Sequence, residues 1–181
     1  SPAGQAYLSD MEWALKYAAT SRFKMVNAVS MILHELFAVS VDEATLIHCH
    51  HNHVRREVHF GSEVWLHRKG ALPADENEAG VIPGSMGTRS YHVAGRGESS
   101  SLHSSSHGAG RSRARHLAQQ TVSRRDLERE MTGIRFDRRR SDSLRDEAPS
   151  AYKDIGKVMR AQRELTRIER ELRPILVYKG T

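Results

Sequence analysis

The chain has 181 residues, 38% hydrophobic and 28% charged, a length that fits one domain with a real buried core. No apolar run is long enough to span a bilayer and no basic-then-apolar signal segment opens the chain, so the expected compartment is the cytoplasm. The lone cysteine, Cys49, excludes an internal disulfide, while a net charge of +6 with arginine outnumbering lysine favours polyanionic partners.

The chain opens on Ser1-Pro2 without a methionine, which suits a fragment or a processed product. Residues 1–37 read as helix: Ser1 can cap it, Pro2 suits its first turn, and Leu8, Met11, Leu15 and Ala18 recur at helical spacing. Val26, Val29 and Leu33 continue the stripe, with a candidate break near Ser21. From Ala44 the texture changes. "ATLIHCHHNHVRREVHF" and "SEVWLHRKGA" are β-branched and aromatic runs separated by Gly61, the pattern of strands around a turn. "GVIPGSMGTRSYHVAG" sets a Pro/Gly loop between two more short strands.

A Ser/Gly/His stretch follows, and then "RARHLAQQTVS" and "RRDLEREM" read as helices, the second capped by Ser123. "RFDRRRSDSLRDEAP" reads as a charged loop, "SAYKDIGKVMRAQREL" as helix, and "RPILVYKG" as a closing strand. There is no internal repeat and no obvious linker, so the expected architecture is a single α+β unit spanning 1–181.

Nine of the eleven histidines lie between His48 and His107. In "HCHHNHV", a strand would place His51 and His53 on one face and His48 and His50 on the other. Imidazoles this dense point to a metal such as manganese or zinc, with surface histidines as the bland alternative. The cluster has no paired-cysteine zinc spacing, so further ligands would have to come from elsewhere.

Two glycine-rich segments suit phosphate. In "IPGSMG", Ile82 to Gly87, backbone N–H groups can converge on an anion and Ser85 adds a hydroxyl, although an ordinary tight turn has the same composition. In "HGAGR", Gly108 and Gly110 clear space beside His107, Arg111 brings a guanidinium, and the helix expected soon after would add its dipole. An imidazole beside a phosphate cradle serves as base, metal ligand or phosphoryl-accepting nucleophile, and residue chemistry alone leaves all three open.

In chain order, "CHHNHV", "RKGA", "GVIPGSMG", "SSSHGAGR", "DEAPSAYKDI" and "RPILVYKG" resemble the RtcB family of GTP-dependent RNA ligases, and the likeness includes the opening "SPAGQAYLSDMEWALKYA". The resemblance implies the C-terminal half of that fold. It implies joining of RNA 3′-phosphate or 2′,3′-cyclic phosphate ends to 5′-hydroxyl ends, using GTP and manganese. Carried onto this chain, it makes His107 the nucleophile that takes GMP and Arg111 a phosphate-facing arginine. It makes His51 a manganese ligand with Asn52 beside the nucleotide, Pro83, Gly84, Ser85 and Met86 the nucleotide loop, and Ser90 a guanine-side contact. Gly108, Ala109 and Gly110 match the backbone cradle, Tyr152 the aromatic that stacks on guanine, and Lys179 the near-terminal lysine that binds the base.

The chain departs from the family in having Ala114-Arg115 where Ser-Arg is usual and His53 where an aromatic is usual. The N-terminal half that supplies an aspartate, a cysteine and further histidines as metal ligands has no counterpart here. The implied partners are RNA with broken ends, such as tRNA halves or damaged RNA, a complementing N-terminal half and an archease-type activator, with no membrane. Two alternatives stand beside the ligase: an inactive half that binds guanine nucleotide or RNA without ligating, and a histidine-metal phosphoesterase of unrelated type.

Overall fold

A computed structural model describes residues 1–180. It is mixed α+β, with every named strand ladder antiparallel. The residues group into two compact units, Ser1–Lys69 and those from Gly70 onward, each described here by itself.

The first unit begins with α1 (Pro2–Phe37), which is continuous through Ser21. Ser1 Oγ accepts from the Gly4 N–H at 3.2 Å, and Pro2 occupies the first turn, where its missing N–H costs nothing. The helix stops at Ala38, which is left-handed at φ 52° and donates its N–H to the His34 carbonyl. None of its residues is fully buried, but Leu8, Met11, Leu15, Ala18 and Leu33 of the expected stripe are shielded while Val26 and Val29 are exposed. Among the described residues no helix is long and apolar enough to cross a membrane.

A hairpin follows, β1 (Asn52–His59) with β2 (Ser62–Lys69), turning at Phe60 and Gly61 with φ of 52° and 77°. Two positive φ values give the turn whose twist matches the strands. Strand β1 starts at Asn52, so His48, His50 and His51 precede it, and the expected alternation of their faces does not apply. Within the hairpin Arg68 donates to both Glu57 oxygens, at 2.6 and 3.0 Å, and His59 Nε2 lies 2.9 Å from Glu57 Oε2.

In the second unit β3 (Ala71–Pro73) pairs with β6 (Ser104–Ser106), and β4 (Ala79–Pro83), β5 (Ser90–Gly95) and β7 (Thr166–Leu172) form a sheet in the order β4-β5-β7. Leu72 and Val93 close over Gly80, where an added Cβ would stand 3.3 Å from each. Helices α2 (Arg115–Thr121), α3 (Arg124–Glu130) and α4 (Ile155–Ala161) complete the unit. Ser123 caps α3 through the Asp126 N–H at 3.1 Å, as its position suggests. Val122, Leu127, Met131, Leu144 and Ala148 form a core with Met86.

Three expectations are corrected. The charged stretch after α3 is not merely a solvated loop: Leu144 and Ala148 are buried, and short 3₁₀ turns occupy 138–140, 145–147 and 149–151. The helix expected from Ser150 is confined to α4, because Pro149 opens a 3₁₀ turn and Asp154 then caps α4 through Lys157. The last strand is β7, whereas "RPILVYKG" runs irregularly with one bridge, Arg135 to Leu176.

Candidate active site

The loop after β6 places His107. Buried Gln162 anchors the strand: its Oε1 accepts from the Ser106 N–H at 3.1 Å and from Ser106 Oγ at 2.8 Å. His107 is half-buried, and its ring edge faces Gly70 so closely that a Cβ there would stand 3.2 Å from both Cδ2 and Nε2. Gly108 has equally little room, since its Cβ would meet the Pro83 carbonyl at 3.0 Å. That carbonyl accepts from the Ala109 N–H at 2.9 Å, and the Gly110 carbonyl accepts from the Lys153 N–H at 2.9 Å. The Ser/Gly/His stretch is therefore an ordered loop tied to two separate segments. The helix expected to follow begins only at Arg115, has seven residues and lacks a side-chain cap.

Pro83, Gly84, Ser85 and Met86 form one wall of a cleft of about 420 Å³, within the size range of small-ligand sites. Glu147 and Tyr152 form a second wall, and Leu176 to Lys179 a third. Gly84 is needed because a Cβ would collide with Thr88 and the Arg89 carbonyl. Ser85 donates its N–H to Thr88 Oγ1 at 2.6 Å, tightening the turn, and Met86 reaches down into the core. Ser90 faces Pro83 across the β4–β5 ladder, and neither it nor His107 is among the residues lining the cleft. A tyrosine ring, a glycine turn and a lysine on the cleft's walls are groups that can take an aromatic, anionic ligand.

Arg111 lies against Tyr152, with its guanidinium carbon 4.8 Å from the ring centroid and Nη1 donating to the hydroxyl at 3.0 Å. The Tyr152 hydroxyl donates in turn to Glu147 Oε2 at 2.5 Å. Lys179 Nζ is 3.5 Å from the same oxygen, and Arg111 Nη1 is 3.7 Å from Oε1. Arg115 donates to Oε1 as well. Burial by itself would raise the Glu147 pKa, but the Tyr152 and Arg115 hydrogen bonds and the Lys179 charge hold it below the usual carboxylate range. Burial and then the bond to Glu147 raise the Tyr152 pKa. Glu147 was not singled out in the sequence because it sits in a run of alternating charges. Its place directly before buried Ala148 and five residues before Tyr152 is the local signal.

His51 and Asn52 belong to the first unit, His51 just before β1 and Asn52 exposed at its start. Around them His48 and His50 stand edge to face at 4.9 Å, His50 and His53 at 6.3 Å, and Arg22 Nη2 is 2.8 Å from His48 Nε2. Burial and then the Arg55 and Arg68 charges bring the His53 pKa down to about 4, and its two buried ring nitrogens have no hydrogen-bond partner among the described residues. Burial, reinforced by Arg22, also lowers the pKa of His48. Such imidazoles stay neutral, the form that ligates metals. Even so, among the described residues no three His, Cys, Asp or Glu side chains stand together as a group that could hold a metal ion. These residues do not by themselves fit a manganese centre.

The family model described as tRNA-splicing ligase RtcB matches residues 1–180. The RNA-splicing ligase RtcB of Escherichia coli K12 is 39% identical over 96% of this chain and 43% of its own length. The RNA-splicing ligase RtcB of Mycobacterium tuberculosis is 34% identical over 99% of this chain and 46% of its own, and the tRNA-splicing ligase RtcB of Pyrobaculum aerophilum 31% identical over 96% and 42%. The chain thus spans less than half the length of these curated relatives. With motifs and match both running along nearly all of it, the chain belongs to the RtcB tRNA-splicing ligase family.

Proposed function

We infer that this chain is the nucleotide-accepting part of an RNA ligase that joins 3′-phosphate or 2′,3′-cyclic phosphate ends to 5′-hydroxyl ends at the expense of GTP. The observation behind this reading is the convergence on one cleft of Pro83–Met86, Tyr152 and Lys179, three segments far apart in sequence, with the Ala109 N–H tied to Pro83. In this reading Tyr152 stacks on guanine and Lys179 binds its edge. The Gly84-Ser85 turn takes up the sugar-phosphate, and Arg111 offsets charge on the phosphates.

His107 takes GMP: a ring nitrogen bonds to the α-phosphorus, pyrophosphate leaves and the imidazole proton goes to solvent. The nucleotide then passes to the RNA 3′-phosphate, and attack by the 5′-hydroxyl releases GMP. The RNA is one with broken ends, as in tRNA splicing or repair. Manganese binding would require ligands beyond this chain's own, from a complementing N-terminal portion, with His51 as this chain's contribution; an archease-type activator is a further proposed partner.

The test is transfer of label from α-labelled GTP. With manganese and the N-terminal portion of the E. coli relative supplied, the chain should acquire one GMP, and His107→Ala should abolish it. Label that persists in His107→Ala, or none in the complemented protein, would overturn the ligase reading. The absence of three grouped ligands among the described residues favours a second reading, a half that binds guanine nucleotide without ligating. Saturable GMP binding without label under the same conditions would support that reading instead.

A further inference from the structure

We propose that Glu147 is a positioning residue that fixes the nucleotide-reading side chains of the cleft before nucleotide arrives. The proposal rests on the guanine-nucleotide reading of that cleft. One carboxylate touches everything that matters there: Oε2 accepts from the Tyr152 hydroxyl at 2.5 Å and stands 3.5 Å from Lys179 Nζ, while Oε1 stands 3.7 Å from Arg111 and accepts from Arg115. The Glu147 side chain is only 15% exposed, against 40% for Lys179.

Lys179 is the partner that would otherwise be loose, since Arg111 is also held by the Arg113 and Asp146 carbonyls. Lys179 has about four freely rotating side-chain torsions and comes from an irregular segment, so an unpaired ammonium would sample many rotamers, and ordering it on binding costs affinity. Tyr152 is held in its plane by a hydroxyl bonded at the rim, with the Arg111 guanidinium on its face. Glu147 therefore joins the residue assigned to stack on the base, the residue assigned to its edge and the residue assigned to phosphate.

The carboxylate does this without abolishing the attraction for phosphate. Arg111, Arg115 and Lys179 face Glu147, and Asp146 takes a further bond from Arg115 at 2.8 Å. Three cations against two carboxylates leave a positive balance. A direct role in reading guanine is not required, since both carboxylate oxygens are already engaged by the protein.

The test is GMP titration of the full chain by calorimetry, with thermal melting in parallel. Glu147→Gln, which keeps an acceptor for Tyr152 but loses the charge that holds Lys179, should weaken GMP binding about tenfold, and Glu147→Asp should recover part of that loss. In a Lys179→Met background Glu147→Gln should add little, because the interaction it breaks is already gone. Affinity unchanged in Glu147→Gln, or losses that multiply in the double variant, would overturn the proposal while leaving the nucleotide reading intact. Failure of the unmodified chain to bind GMP would remove the reading and the proposal together. If the Glu147 variants do not fold, Tyr152→Phe and Lys179→Met replace them. Their side chains share one Oε2, so coupled losses support the joint and independent losses refute it. A purely structural role would lower the melting temperature without this coupling.

Discussion

At Gly70 one missing carbon makes room for an imidazole ring. Its φ is +70°, and a Cβ would stand 3.2 Å from His107 Nε2, so alanine would cost about 1–2 kcal/mol of backbone strain and push the ring. If His107 takes GMP as proposed, Gly70→Ala should slow that step by roughly 10–100-fold, since small misplacements of a nucleophile are expensive. GMP affinity, set by other residues, should stay within about twofold, and a parallel fall in both would refute the positioning argument.

Glu57 gives a second outcome at this scale. Hydrogen bonding to Arg68, opposed by burial and reinforced by His59, lowers its pKa from 4.5 to about 2. A depressed carboxylate pKa stabilises the folded form above the unfolded value, and the gain is lost as pH falls from 4.5 towards 2. The protein should therefore lose up to about 3 kcal/mol across that window, and Glu57→Gln should flatten this part of the pH–stability curve. Gly84 and Ser85 were legible at the cleft because a glycine turn with a hydroxyl is a pattern suited to anions, whereas Tyr152 and Lys179 were reached only through the family resemblance. Glu147 was not legible, since a carboxylate among arginines looks the same whether it is solvated or clamped.

At the scale of elements, the β4–β5 turn depends on what lies beneath it. Met86 packs with Leu127, which is 0% exposed, so the β4–β5 turn and α3 share one core. Leu127→Ala should cost about 2–5 kcal/mol and weaken GMP binding as well, because the cavity frees Met86 to move. Ser123→Ala removes only the α3 cap, costs about 1 kcal/mol and should leave GMP binding alone. Melting and titration of the two variants separate anchoring from simple stability.

The same contrast explains which elements the sequence made legible. Helix α1, the hairpin and the Ser123-capped helix announce themselves by caps, periodicity and a glycine turn. Strand β7 did not: "TRIEREL" pairs along β5, but only Thr166 is buried and most of its charged side chains face solvent, so the segment carries no alternation that marks a strand. Conversely the apolar "ILVY" run looks like a strand, yet Leu176 to Tyr178 line the cleft and the run bridges only at Leu176. Local composition cannot separate an open cleft wall from a buried strand: Ile175, Leu176 and Tyr178 are 80%, 63% and 86% exposed.

For the whole molecule, the net charge of +6 has a measurable consequence if RNA is the partner. Each phosphate neutralised on a single strand releases counterions, and the logarithm of affinity falls by about 0.7 per tenfold rise in salt for each contact. Arg113 is exposed two residues beyond Arg111 and supports it only through its backbone carbonyl, which accepts from Arg111 Nε at 3.1 Å. Arg113→Ala should thus keep Arg111 in place while removing one phosphate contact. Affinity for a single-stranded RNA bearing a 3′-phosphate should fall uniformly across sequences, and the salt slope should shrink by about 0.7. GMP affinity should not follow, because the Arg113 side chain is not among those lining the cleft. An RNA affinity that barely responds to salt would instead place the basic surplus in simple solubility, and the arginines after His107 would then have no part in holding the strand.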